Sequence, residues 1–90
     1  MLEFETTARY RKDEKLMRKQ GRNMSLLGSI IQKLRNEEAL EAKHHDHALS
    51  GNYVGFRECH ITPDWLLIYS IDNGKLVLTA SRTGSHSDLF

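Results

Sequence analysis

The fold of this chain is organised around the stretch Trp65-Leu66-Leu67-Ile68-Tyr69-Ser70-Ile71, a nearly unbroken run of apolar, β-prone residues. Such a run is typical of a central strand that is buried on both faces. The next three residues, Asp72-Asn73-Gly74, predict a hairpin turn, because Asn and Gly tolerate the positive φ angles that tight turns demand. We therefore predict a last strand from Lys75 to Ser81 that pairs with residues 65–71.

The polar stretch Cys59-His60-Ile61-Thr62-Pro63-Asp64-Trp65 leads into this central strand, and its tight turn, Ile61-Thr62-Pro63, contains the only proline of the sequence. Upstream of the turn, the residues from Tyr53 to Ile61 alternate as expected of another strand. The stretches 53–61, 65–71 and 75–81 together predict an antiparallel meander of three strands.

The N-terminal half predicts one short strand and two helices. Residues 2–6 alternate apolar and acidic side chains, and Thr6 or Thr7 can cap a helix from Ala8 to Gln20 that Gly21 ends. A second helix, capped by Asn23 and fading by residues 36–37, is predicted by apolar residues at steps of three and four: Met24, Leu27, Ile30, Ile31 and Leu34. Gly28 within this helix is expected to allow close approach to the first helix.

The order β-α-α-β-β-β predicts an α+β fold, in which a helical hairpin covers one face of an antiparallel-dominated four-stranded sheet. We expect the first strand to join that sheet, residues 82–86 to form a turn, and residues 87–90 to dock as a short tail. Ninety residues with 39% apolar content support a single domain, residues 1–90, with one modest core.

The composition also indicates where the protein works. No apolar run approaches the roughly 20 residues needed to span a bilayer, and the acidic start, residues 1–5, does not have the pattern of a signal peptide. The single cysteine, Cys59, cannot form an internal disulfide. We expect a soluble, bacterial-type cytoplasmic protein without membrane contact.

The net charge of +1 hides a basic segment followed by an acidic one. Residues 37–46 carry four acidic side chains against one lysine, whereas the first predicted helix and the residues after it carry seven cations: Arg9, Arg11, Lys12, Lys15, Arg18, Lys19 and Arg22. These cations could bind the phosphates of a nucleic acid, or they could be the solvated face of an amphipathic helix. Charge alone leaves both interpretations open.

Titratable side chains concentrate between the predicted strands. The run His44-His45-Asp46-His47 is the densest group of possible metal ligands. Neighbouring residues on irregular backbone rarely face one point, however, and no Cys or His pair elsewhere has the spacing of a zinc site. A surface loop with one functional histidine is the favoured interpretation.

A second pair, His60 and Asp64, flanks the polar turn. If the two residues close the ends of a hairpin, Asp64 could orient the His60 imidazole; spacing alone favours the alternative, in which Asp64 binds backbone amides of the turn. His86 lies near the last residue, where many histidines are inert. Trp65 could belong to the core or stack on a base.

These groups together form one chemical inventory. Three imidazoles, one carboxylate and one arginine, Arg82, lie at predicted strand ends with aromatic residues nearby. Metal-free phosphodiester cleavage needs such a set: a base for the attacking hydroxyl, an acid for the leaving oxygen and a cation for the phosphorane charge.

Three linked motifs resemble the YafQ branch of the RelE/ParE type II toxin superfamily. They are Asp46-His47-Ala48-Leu49 followed by Gly51 and Tyr53, then residues 55–69 (GFRECHITPDWLLIY), and then residues 82–90 (RTGSHSDLF). The resemblance covers the C-terminal half with its spacing, whereas the N-terminal half is similar only in pattern.

The resemblance implies a RelE-like microbial RNase fold and an endoribonuclease that cuts messages in the ribosomal A site. It implies that the 2′-hydroxyl of the RNA is the nucleophile and that no metal or cofactor takes part. It assigns catalysis to His47, His60, Asp64 and His86, and substrate contacts to Arg82, Phe90 and Trp65. Within the catalytic set, it suggests His86 as general acid and His60 as base or charge stabiliser.

The resemblance also implies partners. An antitoxin of ribbon-helix-helix type would silence the enzyme, and the complex would bind operator DNA through the antitoxin. The basic segment between Arg9 and Arg22 would bind rRNA phosphates, and His44 and His45 would be loop residues outside the site. The alternative is a non-catalytic inhibitor of gyrase or another target, because gyrase-poisoning relatives share the fold; they lack this set of histidines.

Overall fold

The computed structural model describes residues 1–90 as one five-stranded sheet with three α-helices. The helices are α1 (Ala8–Lys19), α2 (Met24–Arg35) and α3 (His86–Leu89). The strands are β1 (Glu3–Thr6), β2 (His47–Ala48), β3 (Arg57–Thr62), β4 (Trp65–Asp72) and β5 (Val77–Gly84). The α+β class is confirmed, but the four-stranded count is wrong because β2 adds a fifth strand.

The sheet order is β1-β5-β4-β3-β2. Strands β2 to β5 form antiparallel pairs, whereas β1 joins the far edge parallel to β5. The predicted meander and the entry of the first strand into the sheet are therefore confirmed. Strand β4 lies in the middle, and every residue from Trp65 to Tyr69 is buried, as an apolar run without alternation predicts.

The two faces of the sheet carry different cores. The main core packs α1 and α2 onto one face and includes Tyr10, Met17, Leu27 and Leu67. The opposite face carries a smaller cluster, in which Leu66, Ile68 and Leu89 are buried against Leu49, Tyr53 and Phe56. The helical layer therefore covers one face only, and the loops and the C-terminal tail build the other.

The helix boundaries follow their caps. Thr7 accepts a hydrogen bond from the Tyr10 amide, and Asn23 accepts one from the Ser25 amide, as predicted for N-caps. Gly21 ends the first helical segment with a φ of +75°. The close approach predicted at Gly28 is wrong, because a Cβ placed there would meet no atom within 4 Å.

Helix α1 also protects the edge of the sheet. Strand β1 pairs with β5 only as far as Ala80, so the next residues of β5 have no strand on that side. The Asp13 carboxylate accepts a hydrogen bond from the Thr83 amide at 3.2 Å, and Thr7 donates its hydroxyl hydrogen to the Ser81 carbonyl at 2.8 Å. The helix thereby covers an edge that would otherwise expose unpaired backbone groups.

Two predicted strands and one predicted turn differ from the structure in detail. The strand predicted from Tyr53 begins only at Arg57, because a 3-10 turn occupies Gly51–Tyr53. The last strand begins two residues late and continues to Gly84, through most of the predicted turn at 82–86. In the β4–β5 hairpin the positive φ falls on Leu76, and Asp72 stabilises the turn by accepting from the amides of Gly74 and Lys75.

The predicted tail docks on the sheet through Leu89. Residues 86–89 form the short helix α3, and Leu89 is its buried side chain. Phe90 remains 56% exposed. No helix in the structure has the length and apolar character needed to cross a membrane.

Candidate active site

The candidate site lies on the sheet face that the two long helices leave uncovered. On β3, Cys59 and Ile61 belong to the core under the helices. Because successive side chains of a strand point to opposite faces, Glu58 and His60 project from the other face. The register sets Glu58 between His47 on β2 and Ile68 on β4, and it sets His60 opposite Leu66.

A buried carboxylate, Glu58, joins two of the predicted catalytic histidines. Its side chain is only 5% exposed, and Glu58 Oε1 lies 3.5 Å from His60 Nε2 and 3.8 Å from His47 Nε2. A buried carboxylate is costly unless a positive group compensates it. Either imidazole, when protonated, provides that compensation, so the three side chains form one electrostatic unit.

The orientation of His47 is set by a backbone contact. Its Nδ1 lies 2.5 Å from the His45 carbonyl oxygen. Since a carbonyl can only accept, Nδ1 carries the hydrogen, and Nε2 is the nitrogen that faces Glu58. The imidazole is half exposed, which leaves it accessible to a substrate on this face.

Asp64 does not orient His60, and that part of the prediction is wrong. Asp64 is exposed in the two-residue turn between β3 and β4, and no hydrogen bond or ion pair joins it to His60. The strand register explains the separation, because His60 lies back along β3, opposite Leu66, while Asp64 is at the tip of the hairpin. The carboxylate beside the His60 ring is Glu58, at 3.5 Å; a catalytic role of Asp64 itself stays a prediction.

The C-terminal tail brings His86 and Phe90 to this same face. Leu89 is buried against Leu66 and Ile68, and Ser85 and Asp88 close a reciprocal capping box at the start of α3. The His86 and Phe90 rings lie 5.4 Å apart between centroids. His86 is therefore held on the face that carries Glu58 and His60.

An aromatic group supports the exposed Phe90 ring. The Tyr53 and Phe90 centroids are 5.5 Å apart in an edge-to-face arrangement, and Tyr53 contacts Phe56 in the same way at 6.3 Å. The arrangement leaves one aromatic ring in solvent beside His86. An exposed, supported ring is suited to stacking on an unpaired base.

Arg82 is already paired with a carboxylate. Its Nε and Nη2 donate to Asp13 at 2.7 and 3.1 Å, and these hydrogen bonds raise the pKa of the guanidinium above its ordinary value. Nη1 does not take part in this bidentate pair. The role of Arg82 as a phosphate-side cation stays a prediction. The structure adds that the Asp13 carboxylate compensates part of the Arg82 charge.

Trp65 is buried, and its predicted contact with substrate stays a prediction. Its ring is 1% exposed, and Nε1 donates to Thr83 Oγ1 at 2.8 Å. The Arg22 guanidinium lies 5.6 Å from the ring centroid on the side of the helices. Trp65 is therefore a core residue, as its place at the start of the central strand also explains.

The predicted cationic segment divides into two groups. Arg22 is half-buried against Trp65. The other six cations are exposed on α1: Arg9, Arg11, Lys12, Lys15, Arg18 and Lys19. Their binding to rRNA stays a prediction.

Glu58 and Tyr53 are the site residues that the sequence reasoning missed. A signal for Glu58 was present, because period two on a strand places residues 58 and 60 on one face. No comparable signal marks Tyr53, whose partner Phe90 lies 37 positions further along the chain. Within residues 1–90, no group of three or more His, Cys, Asp or Glu side chains is arranged to hold a metal ion.

Comparison with known proteins gives concordant results for sequence and structure. A family model described as "Bacterial toxin of type II toxin-antitoxin system, YafQ" matches residues 2–90. The mRNA interferase toxin YafQ of Escherichia coli (strain K12) is 39% identical over 89 residues, which cover 98% of this chain and 95% of that protein.

Two solved structures extend this likeness over nearly all of both chains. A metal-bound toxin from Helicobacter pylori has a TM-score of 0.94 and 42% identity, with all of each chain covered. YafQ in the E. coli DinJ-YafQ toxin-antitoxin complex has a TM-score of 0.89 and 37% identity, with 99% of this chain and 97% of that chain covered.

Proposed function

The chain belongs to the YafQ family of bacterial toxins of type II toxin–antitoxin systems, and we propose that it is a ribosome-dependent endoribonuclease. Its relatives of 39% and 37% identity are named mRNA interferase toxins. The chain is accordingly an mRNA interferase with a cognate antitoxin, as in the DinJ-YafQ complex. The alternative of a non-catalytic gyrase inhibitor is disfavoured by these relatives.

The observation that carries the proposed chemistry is the buried Glu58 carboxylate beside two imidazoles, with His86 held on the same face. In the reaction, a base removes the proton of the RNA 2′-hydroxyl, and the resulting oxygen attacks the adjacent phosphorus. The bond to the 5′-oxygen breaks, and an acid donates a proton to that oxygen. The products are a 2′,3′-cyclic phosphate and a 5′-hydroxyl, so no metal or external nucleophile is needed.

The residues have separate roles in this proposal. His60 or His47 receives the 2′-hydroxyl proton, and Glu58 stabilises the imidazolium that forms, because the opposite charges lie within 4 Å. His86 donates the proton to the leaving oxygen. The exposed Phe90 ring stacks on a base beside the cleaved bond, and Arg82 Nη1 faces the developing phosphorane charge.

The proposed setting is the bacterial cytoplasm, where the chain acts as a single toxin domain, residues 1–90. The message lies in the ribosomal A site, and the exposed cations of α1 bind rRNA phosphates by releasing counterions. The antitoxin is of ribbon-helix-helix type, and the complex binds operator DNA through it.

Primer extension on a message, with and without ribosomes, tests the function. We expect new RNA ends only when both ribosomes and toxin are present. The His60→Ala and His86→Ala variants should cut about 10²-fold to 10⁴-fold more slowly, the usual contribution of one acid–base group. Chelation of transition metals should leave the rate unchanged.

The control variant is Lys75→Ala, which alters an exposed residue of the β4–β5 turn. It should cleave at the wild-type rate. Growth arrest that persists in both histidine variants, without new RNA ends, would contradict the proposal and favour inhibition by binding alone.

A further inference from the structure

His44 was predicted to be an ordinary loop residue, yet it is one of the few buried polar side chains of the chain, at 9% exposure. It ends the 3-10 turn Ala42–His44, and its Nδ1 lies 2.6 Å from the backbone carbonyl oxygen of His60. A carbonyl oxygen can only accept a hydrogen bond. Nδ1 of His44 therefore carries the hydrogen and donates it to His60.

The His60 carbonyl needs this donor because β3 is only partly paired. Strand β2 is two residues long and reaches β3 only at Arg57 and Glu58. On the other side, the register of β3 with β4 shifts between His60 and Thr62. Such a bulge disrupts the ladder and re-aims nearby side chains. The His44 ring takes the place of a neighbouring strand at the residue where the bulge begins.

The next residue, His45, strengthens the same arrangement. It has a left-handed backbone conformation, with φ of +47°, which turns the chain back toward the sheet. Its ring packs against the His60 ring with centroids 5.5 Å apart, and its carbonyl accepts the hydrogen bond from His47 Nδ1. Residues 44 and 45 thus contact both histidines that face Glu58.

We propose that His44 is a positioning residue for the ribonuclease reaction. Its hydrogen bond to the His60 carbonyl fixes the bulge of β3 and thereby the direction of the His60 imidazole toward Glu58. His44 acts through His60 and does not contact the RNA. The catalytic part of this inference rests on the proposed function, whereas the positioning part does not.

A cavity beside His44 makes the inference testable with small molecules. The cavity has a volume of about 410 Å³, and its lining includes His44, Ile61, Thr62 and Pro63. Leu26 and Lys43 also line it, and both are exposed, so the cavity communicates with solvent. Shortening the side chain at position 44 would therefore create a space that free imidazole can reach.

The first test compares two variants of nearly equal shape. His44→Asn can place an N–H donor where Nδ1 lies, whereas the His44→Asp carboxylate offers only acceptors to the carbonyl. We expect His44→Asn to keep most of the single-turnover rate of ribosome-dependent cleavage. His44→Asp should lose about 10-fold to 100-fold, as expected when a buried carbonyl loses its partner. Equal rates for the two variants would overturn the proposal.

The second test is chemical rescue of His44→Ala. Imidazole should restore cleavage, whereas 1-methylimidazole, which fills similar space without an N–H, should not. Lys43→Ala, at the rim of the same cavity, should cleave normally and respond to neither compound. Equal rescue by both compounds would show that His44 only fills space, and the proposal would be wrong.

A third measurement separates this inference from the proposed function. In the isolated protein, without ribosomes or RNA, the ¹³C shift of the His60 carbonyl should change in His44→Asp and His44→Ala, and imidazole should reverse the change in His44→Ala. An unchanged shift would refute the hydrogen bond even in an active enzyme. If the shift changes in the variants as expected but the wild-type protein cuts no message, the ribonuclease function is refuted and the positioning role of His44 stands.

Discussion

At the scale of single residues, the site depends on where the charges are buried. His60 could be predicted from the sequence because imidazole is suited to proton transfer near neutral pH. Its carboxylate partner was assigned to Asp64, since the two residues flank a turn. The structure replaces Asp64 with Glu58, because residues two apart on a strand share a face, whereas a residue at the hairpin tip points to solvent.

The first prediction concerns the charge of Glu58. Glu58→Gln keeps the shape of the side chain and removes its charge, so the imidazolium formed during cleavage loses a stabilising partner. We expect single-turnover cleavage to fall by about 10-fold to 100-fold, which corresponds to ~1.5–3 kcal/mol for an interaction with a charged group. The measurement is the rate on ribosome-bound message at saturating toxin.

A double-mutant cycle is the control for this prediction. If Glu58 acts through His60, adding Glu58→Gln to His60→Ala should slow the reaction little further. Glu41→Gln, which removes an exposed carboxylate from a loop, should leave the rate unchanged. Additive losses in the double variant would show that Glu58 has a separate role.

At the scale of elements, propensity predicts the long segments and fails at the loops. The structure confirms the predicted caps at Thr7 and Asn23 and the predicted central strand β4. Each of these features depends on residues that are neighbours in the sequence. The strand predicted from Tyr53 failed, because Gly51 and Gly55 have φ angles of +63° and +93° and turn the chain before β3 begins. The apolar residues of that loop pack into the smaller cluster on the uncovered face of the sheet and do not form a strand.

The second prediction concerns the basic face of α1. Lys12 and Lys15 are exposed and make no ion pair in the structure. Replacing both with Gln should weaken binding to ribosomes and lower the slope of log K against log salt concentration by about 2, roughly one per lost phosphate contact. Titration of ribosomes at several salt concentrations measures both quantities.

A matched pair, Lys43→Gln with Lys75→Gln, removes the same net charge from other parts of the surface. That pair should leave the salt slope near the wild-type value. If both pairs lower the slope equally, the effect is one of overall charge, and the assignment of α1 to rRNA is wrong. Cleavage at saturating ribosomes should not change in either pair, because none of the four lysines belongs to the candidate site.

At the scale of the whole molecule, the least predictable feature is the pairing of β1 with β5. The sequence indicates that residues 2–6 form a strand, but the partner lies 74 positions away, and local pattern carries no information about it. The meander could be predicted, since hairpins join consecutive strands.

The third prediction concerns stability at high pH. Burial raises the pKa of the Cys59 thiol to about 12, and it raises the pKa of the Tyr10 and Tyr69 hydroxyls above their ordinary value. In the unfolded chain these groups lose their protons near pH 8.5 and 10. The unfolded state therefore binds fewer protons than the folded state above about pH 9, and the free energy of unfolding should fall as the pH rises.

Urea denaturation between pH 8 and pH 11 measures this dependence. Tyr10→Phe removes one ionisable hydroxyl with little change in volume, and Cys59→Ala removes the thiol at some cost in packing. Each variant should show a shallower decline above pH 9 than the wild type, whatever its stability at pH 8. Parallel curves for the wild type and both variants would contradict the assignment.

The pairing of β1 with β5 also bears on how the protein is made. Strand β1 is synthesised well before its partner, Val77–Ala80, which lies 74 positions further along the chain. Long-range pairing of this kind is slow and comes late in folding. His86 and the capping box of α3 follow β5 in the chain, so a nascent toxin lacks a complete sheet and a complete candidate site until residues 77–90 have been translated. The order of the strands thus delays completion of the candidate site until the strand that pairs with β1 and the residues after it have been synthesised.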